Sequence, residues 1–145
     1  MIITPVTDKN FDQAVSVYRQ AWTDSHVDIC TPDFIRNRDY VGYLREKKQG
    51  LFLLTDREPV GIIRIYDHVL SDLYVHPHMQ GMGYGKALLR IAIEQEQEIS
   101  LTVLSTNERA IGLYLRNGFQ FTGNDTYLRE GLWEREMKFT EKNNG

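Results

Sequence analysis

The stretch V-L-S-D-L-Y-V-H-P-H-M-Q-G-M-G-Y-G-K-A-L-L-R-I-A-I-E-Q-E-Q, residues 69–97, decides the fold. Residues 70–75, rich in Leu, Tyr and Val, read as a strand. Pro77 ends it, because proline has no N–H to give a sheet ladder. Glycines then stand at 81, 83 and 85. From Tyr84 onward Leu88, Ile91, Ala92 and Gln95 recur at helical spacing, so a helix begins there. Strand, glycine-rich turn and helix together make an anion site. The first helical amides have no internal partner and point beyond the N-terminus. Glycine lets the backbone approach a phosphate and take positive φ.

Two common phosphate-binding patterns do not fit. A nucleotide-hydrolase P-loop needs Gly five residues before its Gly-Lys pair and a hydroxyl after the lysine. Gly85-Lys86 has Gln80 and Ala87 in those places, which leaves no side chain for magnesium. The dinucleotide fingerprint spaces its glycines G-x-G-x-x-G and needs an acidic residue on the next strand. Here the spacing differs, and residues 101–105 hold no acid.

The Q-G-M-G-Y-G run after L-Y-V-H-P resembles the acyl-CoA-binding motif of the GNAT superfamily of N-acetyltransferases. That motif is Gln/Arg-x-x-Gly-x-Gly/Ala. Gln80, Gly83 and Gly85 match its fixed positions, and Gly81 is a frequent variant of the first x. Downstream, T-N-E-R-A-I-G-L-Y-L-R-N-G-F at 106–119 resembles the family's second motif, an Asn at a helix start followed by a Tyr and a closing Gly-Phe. The resemblance covers essentially the whole chain, with residues 1–50 carrying it by element order alone. It implies an α/β fold with a mixed, mainly antiparallel sheet, splayed at strands four and five, with helices on both faces. The domain would span 1–140, and 141–145 would be a frayed polar tail.

Composition bounds the partners. The chain has 145 residues, which suits one domain, and its 41% apolar content is ordinary for a globular protein. Net charge is −3, and no basic patch reads as a nucleic-acid footprint. No apolar run approaches a membrane span, and Met1 leads into a short strand rather than a signal peptide. The single cysteine, Cys30, has no partner for an internal disulfide and no His or acid constellation that would make it a nucleophile. A cytoplasmic protein without nucleic-acid or membrane partners is expected, as monomer or homodimer.

Outward from the central stretch, residues 2–6 read as a first strand. Residues 10–22 form the cleanest helix, with Phe11, Ala14, Val15, Tyr18, Ala21 and Trp22 on one face. A loop at 23–31 holds Ser25, His26 and Asp28. Thr31-Pro32 then caps a second helix to about 48, closed by Gly50. Residues 51–55 and 60–66 read as a hairpin, 99–104 as the strand after the phosphate helix, and a helix capped by Asn107 follows. Residues 119–123 and 126–139 read as the last strands, with a turn or bulge at Glu130-Gly131.

The chemistry follows from the resemblance. It implies transfer of an acetyl group from acetyl-CoA (coenzyme A) to a primary amine, by direct attack in a ternary complex. No metal is required, and no clear metal constellation is present. Leu73, Tyr74 and Val75 would hold the pantetheine arm through backbone atoms, with an amide near Leu73 as oxyanion donor. Gln80, Gly81, Met82, Gly83, Tyr84, Gly85 and Lys86 would hold the pyrophosphate, and Asn107 would reach the pantetheine. Tyr114 would be the general acid for the leaving thiolate. Many family members carry a Glu on strand four, where Val69 and Leu70 stand here. Asp72, His68, His26 and a water chain stay open as the base. The acceptor, a small-molecule or peptide amine, is also open, with Trp22, His26 and Tyr40 as wall residues and Asp24, Asp28 and Asp33 as sources of negative charge. Two alternatives are a different acyl-CoA donor and a non-catalytic acyl-CoA sensor.

Overall fold

A computed structural model describes residues 1–140; the polar tail at 141–145 lies outside the described residues. Seven strands, β1 (Ile2–Pro5), β2 (Leu51–Asp56), β3 (Glu58–Tyr66), β4 (Val69–Val75), β5 (Glu98–Leu104), β6 (Gln120–Arg129) and β7 (Leu132–Thr140), form one sheet in the order β1-β2-β3-β4-β5-β7-β6. Every neighbouring pair is antiparallel except β4 and β5. Among the described residues five α-helices flank the sheet: α1 (Phe11–His26), α2 (Pro32–Asn37), α3 (Tyr40–Glu46), α4 (Tyr84–Gln95) and α5 (Glu108–Arg116). One α/β domain with helices on both faces results. Among the described residues no helix is long and apolar enough to cross a membrane.

The sheet divides the core in two. Val6, Tyr18, Trp22, Tyr40, Leu44, Leu53 and Ile62 pack under α1 and α3. Ile63, Leu70, Leu88, Leu101, Tyr114, Phe119 and Met137 pack under α4 and α5. The phase of β4 between these layers depends on a bulge. Arg64 pairs with Asp72 and Ile65 with Leu70, which leaves Ser71 without a partner. Leu70 therefore faces the α4 layer, yet Asp72, two residues on, faces the α1 layer with Tyr74. A regular strand would have placed all three on one face.

Local sequence explains most element ends, and the departures have physical causes. Helix α1 runs four residues past the expected end, so His26 lies in its last turn rather than in a loop. The carbonyl of Trp22 accepts from Ser25 Oγ at 3.0 Å and contacts His26 Nδ1 at 2.8 Å, so side chains satisfy the helix end. The expected helix at 32–48 is two helices broken at extended Arg38. Asp39 starts the second by accepting from the Gly42 amide at 2.9 Å. Gly50 does not close that helix. It sits at φ +79° before β2, where a Cβ would lie 2.2 Å from the Ile65 carbonyl oxygen. At the far edge the turn falls at Glu130-Gly131, and the expected break at 124–125 is instead a register shift within β6.

Phe119 closes the α4 layer at 1% exposure, with its ring centroid 5.6 Å from Tyr114 and 5.5 Å from Phe139. Phe119→Ala should cost about 3–5 kcal/mol. Urea unfolding should show this as a lower midpoint at unchanged slope.

Candidate functional site

The only registered pair between β4 and β5 is Val69 with Ser100. Past that point the two strands separate, and a cleft of about 1050 Å³ occupies the gap. The His76 amide is bonded to the Val60 carbonyl at 2.8 Å, so it points toward β3. By alternation the amides of Leu73 and Val75 point the other way, into the cleft. Backbone donors without a strand partner are a strong feature of any site, because buried N–H groups are almost always paired.

One end of the cleft suits an anion. Gly81 and Gly83 take φ +80° and +89°, and an added Cβ at either would meet nothing within 4 Å. The positive φ, not crowding, is what calls for glycine there. Gly83 is the residue before α4, whose first residues, Tyr84, Gly85 and Lys86, line the cleft. The Tyr84 hydroxyl donates to Asp56 at 2.6 Å and ties the start of α4 to β2. Asn107 caps α5 by accepting from the Ala110 amide at 3.2 Å, and it also lines the cleft. Two helix N-termini thus converge, with Lys86, Arg109 and Arg116 on the same walls. Arg109 donates to the Gln80 side chain, whose amide nitrogen donates to the Val75 carbonyl at 3.2 Å.

The other end carries acid–base groups. Tyr114 is 6% exposed and lines the cleft; burial raises its pKa well above the usual tyrosine value, so the hydroxyl keeps its proton. Asp72 is 4% exposed, the one buried charged residue described. Burial raises its pKa, while hydrogen bonds from Ser71 and Tyr43 pull the other way. His26 stacks on Trp22 at 3.8 Å between centroids, and burial lowers its pKa. Its Nδ1 lies 2.8 Å from both the Trp22 carbonyl oxygen and the Ser25 hydroxyl. Among the described residues no cluster of His, Cys, Asp and Glu suits a metal.

The cleft brings together Tyr114, Asp72, His26 and every residue expected to bind the cofactor but one. The exception is Met82, whose side chain is 63% exposed and outside the cleft. His68 is drawn away from it, paired with Glu96 at 2.8 Å. Of the three loop acids only Asp24 lines the cleft; Asp33 pairs with Arg36. Trp22 is core at 7% exposure, and Tyr40 is buried beside it. Cys30 is a free thiol packed against the α1 layer.

Sequence reading missed Tyr43, Ser71 and Arg38. The Arg38 guanidinium lies 4.2 Å from the Trp22 ring centroid and 4.9 Å from that of Tyr43. Its Nη2 donates to the Tyr18 hydroxyl at 2.6 Å, while Nη1 is buried without a partner. The available signal was Asn37-Arg38-Asp39, a helix stop followed by a second N-cap.

Comparison with known proteins adds to this geometry. A family model described as an acetyltransferase (GNAT) domain matches residues 47–121. The chain is 32% identical over 66 residues to the peptidyl-lysine N-acetyltransferase YjaB of Escherichia coli K12, covering 46% of this chain and 45% of that protein. It is 34% identical over 74 residues to a probable spermine N(1)-acetyltransferase of Bacillus subtilis subsp. natto, covering 47% and 49%. The chain spans about half the length of the curated relatives it matches. Among solved structures, the PaiA N-acetyltransferase of Thermoplasma acidophilum in complex with coenzyme A superposes with a TM-score of 0.77 at 19% identity, over 96% of this chain and 98% of that one. Apo YjaB from E. coli superposes with a TM-score of 0.74 at 20% identity, with the same coverage. These two likenesses show the fold.

Asp72 also sets a stability prediction. Its folded pKa lies above the unfolded one, so between the two values the folded state binds more protons. Stability then falls as pH rises through that window. Asp72→Asn should therefore raise Tm at pH 7, by about 2–4 °C. Scanning calorimetry should show the gain disappear as pH falls through the carboxylate range.

Proposed function

The chain belongs to the GNAT acetyltransferase family, and from that premise we propose that it moves an acetyl group from acetyl-CoA to a primary amine by direct attack in a ternary complex. The observation that carries this reading is the gap beyond Val69, with unpaired β4 amides on one wall and two helix N-termini at its end. That space fits a long, flexible arm ending in phosphates. When bound, acetyl-CoA supplies a thioester already activated toward amines.

The amides of 80–85 and Lys86 hold the pyrophosphate, the free amides of Leu73 and Val75 pair with the pantetheine arm, and Asn107 reaches it from α5. Tyr74, expected to pair through its backbone, has that backbone turned to Ile62 of β3 and only lines the cleft. The Leu73 amide donates to the carbonyl oxygen as negative charge develops there. Asp72 removes a proton from the acceptor nitrogen, so that its lone pair can attack. His26, which lines the same cleft, is the second basic group. Tyr114 donates to the leaving sulfur. Because burial raises its pKa, this donation is a hydrogen bond that stabilises thiolate departure more than a completed proton transfer.

The named acceptors of the relatives, peptidyl lysine and spermine, are both alkyl primary amines, cationic at neutral pH. Asp24 and Asp72 give the acceptor side of this cleft a negative lining that suits the same class.

Release of free CoA thiol from acetyl-CoA should rise when spermine or a lysine peptide is added. Tyr114→Phe should lower kcat about a hundredfold while leaving CoA affinity unchanged by calorimetry. Tight CoA binding without release by any amine would favour an acyl-CoA sensor instead.

A further inference from the structure

Asp72 is served by a residue from outside both sequence motifs. Helix α3 brings Tyr43 across β4, and its hydroxyl donates to Asp72 Oδ1 at 3.1 Å, with Oδ2 at 3.3 Å. Ser71 Oγ donates to Oδ2 at 3.1 Å. Neighbouring side chains on a regular strand point to opposite faces, so a Ser71–Asp72 bond exists only because of the bulge at Ser71. Arg64 Nη1 donates to Ser71 Oγ at 3.2 Å, and Arg64 Nε is anchored on the Gln49 carbonyl at 2.9 Å.

We propose that Tyr43 and Ser71 are positioning residues that hold Asp72 ionised and aimed at the acceptor nitrogen. The proposal rests on the preceding reading of Asp72 as the base. A carboxylate buried without donors takes up a proton instead of keeping its charge. Two hydroxyl donors on its oxygens oppose that, and leave it able to accept a proton at neutral pH. Packing alone does not call for the Tyr43 hydroxyl. Its ring stacks on Tyr18 at 5.3 Å and 12°, which phenylalanine would do equally well.

The other groups around Asp72 come from every neighbouring element. Arg64 faces it from β3, and Lys47 from the end of α3. Tyr18 of α1, Tyr74 of β4 and Tyr114 of α5 all feel its charge. His26 lines the same cleft from α1, and Arg38 acts on Tyr18 and Tyr43. In the step, the acceptor N–H bond breaks, its electron pair stays on nitrogen, and the proton passes to Asp72. The proton then leaves Asp72 for water through the open cleft that Asp72 itself lines, which restores the carboxylate.

The test is kcat/KM for the amine against pH, at saturating acetyl-CoA, for wild type, Tyr43→Phe, Ser71→Ala and Asp72→Asn. Both hydroxyl deletions should move the acidic limb upward, lowering the rate on that limb about tenfold. The high-pH plateau and the KM for acetyl-CoA should stay near wild type. Ser71→Ala carries the test if Tyr43→Phe does not fold. A limb that vanishes in Asp72→Asn but stays in place in both hydroxyl variants overturns this inference and leaves the base assignment standing. An equal fall at every pH in both variants assigns them a merely structural role and also overturns it. A wild-type limb in Asp72→Asn overturns the base assignment and this inference together.

Discussion

The structure depends on how little holds β4 to β5. One residue pair, Val69 with Ser100, joins two strands that pair along their length on their other side, β4 with β3 apart from the bulge at Ser71 and β5 with β7. A parallel sheet normally continues its ladder, because unpaired backbone donors inside a protein are costly. Here the ladder stops, and the cleft takes its place. The cores under α1 and α4 pack against the two faces of the sheet on either side of the gap. The candidate anion end, acid and base are all placed relative to that opening.

The bulge at Ser71 does comparable work over a shorter range. It lets one strand send Leu70 into the α4 layer and Asp72 into the α1 layer. It also puts a serine hydroxyl beside the carboxylate of its own neighbour. A buried carboxylate is destabilising unless it is hydrogen-bonded, and Ser71 and Tyr43 supply those bonds to Asp72. The aromatic wall opposite has a similar character. Arg38 is enclosed by rings with one nitrogen left unpartnered, at a cost of about 1–3 kcal/mol.

What was legible in the sequence follows from the range of each interaction. The strand, glycine turn and helix around Gly83 are local. Positive φ, a missing proline N–H and helical periodicity are properties of residues close in the chain. Asn107 as a cap, the one-sided face of α1 and the Gly118 helix stop are local in the same sense, and all three appear in the structure. The break at Arg38 was less legible. Its signal, Asp39 as a second N-cap, competes with a helical pattern that runs on either side. The end of β6 was misread because Gly123 and Gly131 both take positive φ, one in a register shift and the other in the turn.

By itself the sequence carried the family resemblance in its motifs, and it determined most of the element order and the glycine turn before α4, because short-range backbone chemistry specifies such turns and helices. Only the tertiary structure decided which acid is buried, which histidine faces the cleft and which hydroxyls reach Asp72. Tyr43 and Asp72 are 29 residues apart, and Arg38 and Tyr18 are 20 apart. Contacts of that kind leave no periodic trace in either segment. They exist because one unpaired residue in β4 turns Asp72 toward the face on which α1 and α3 pack.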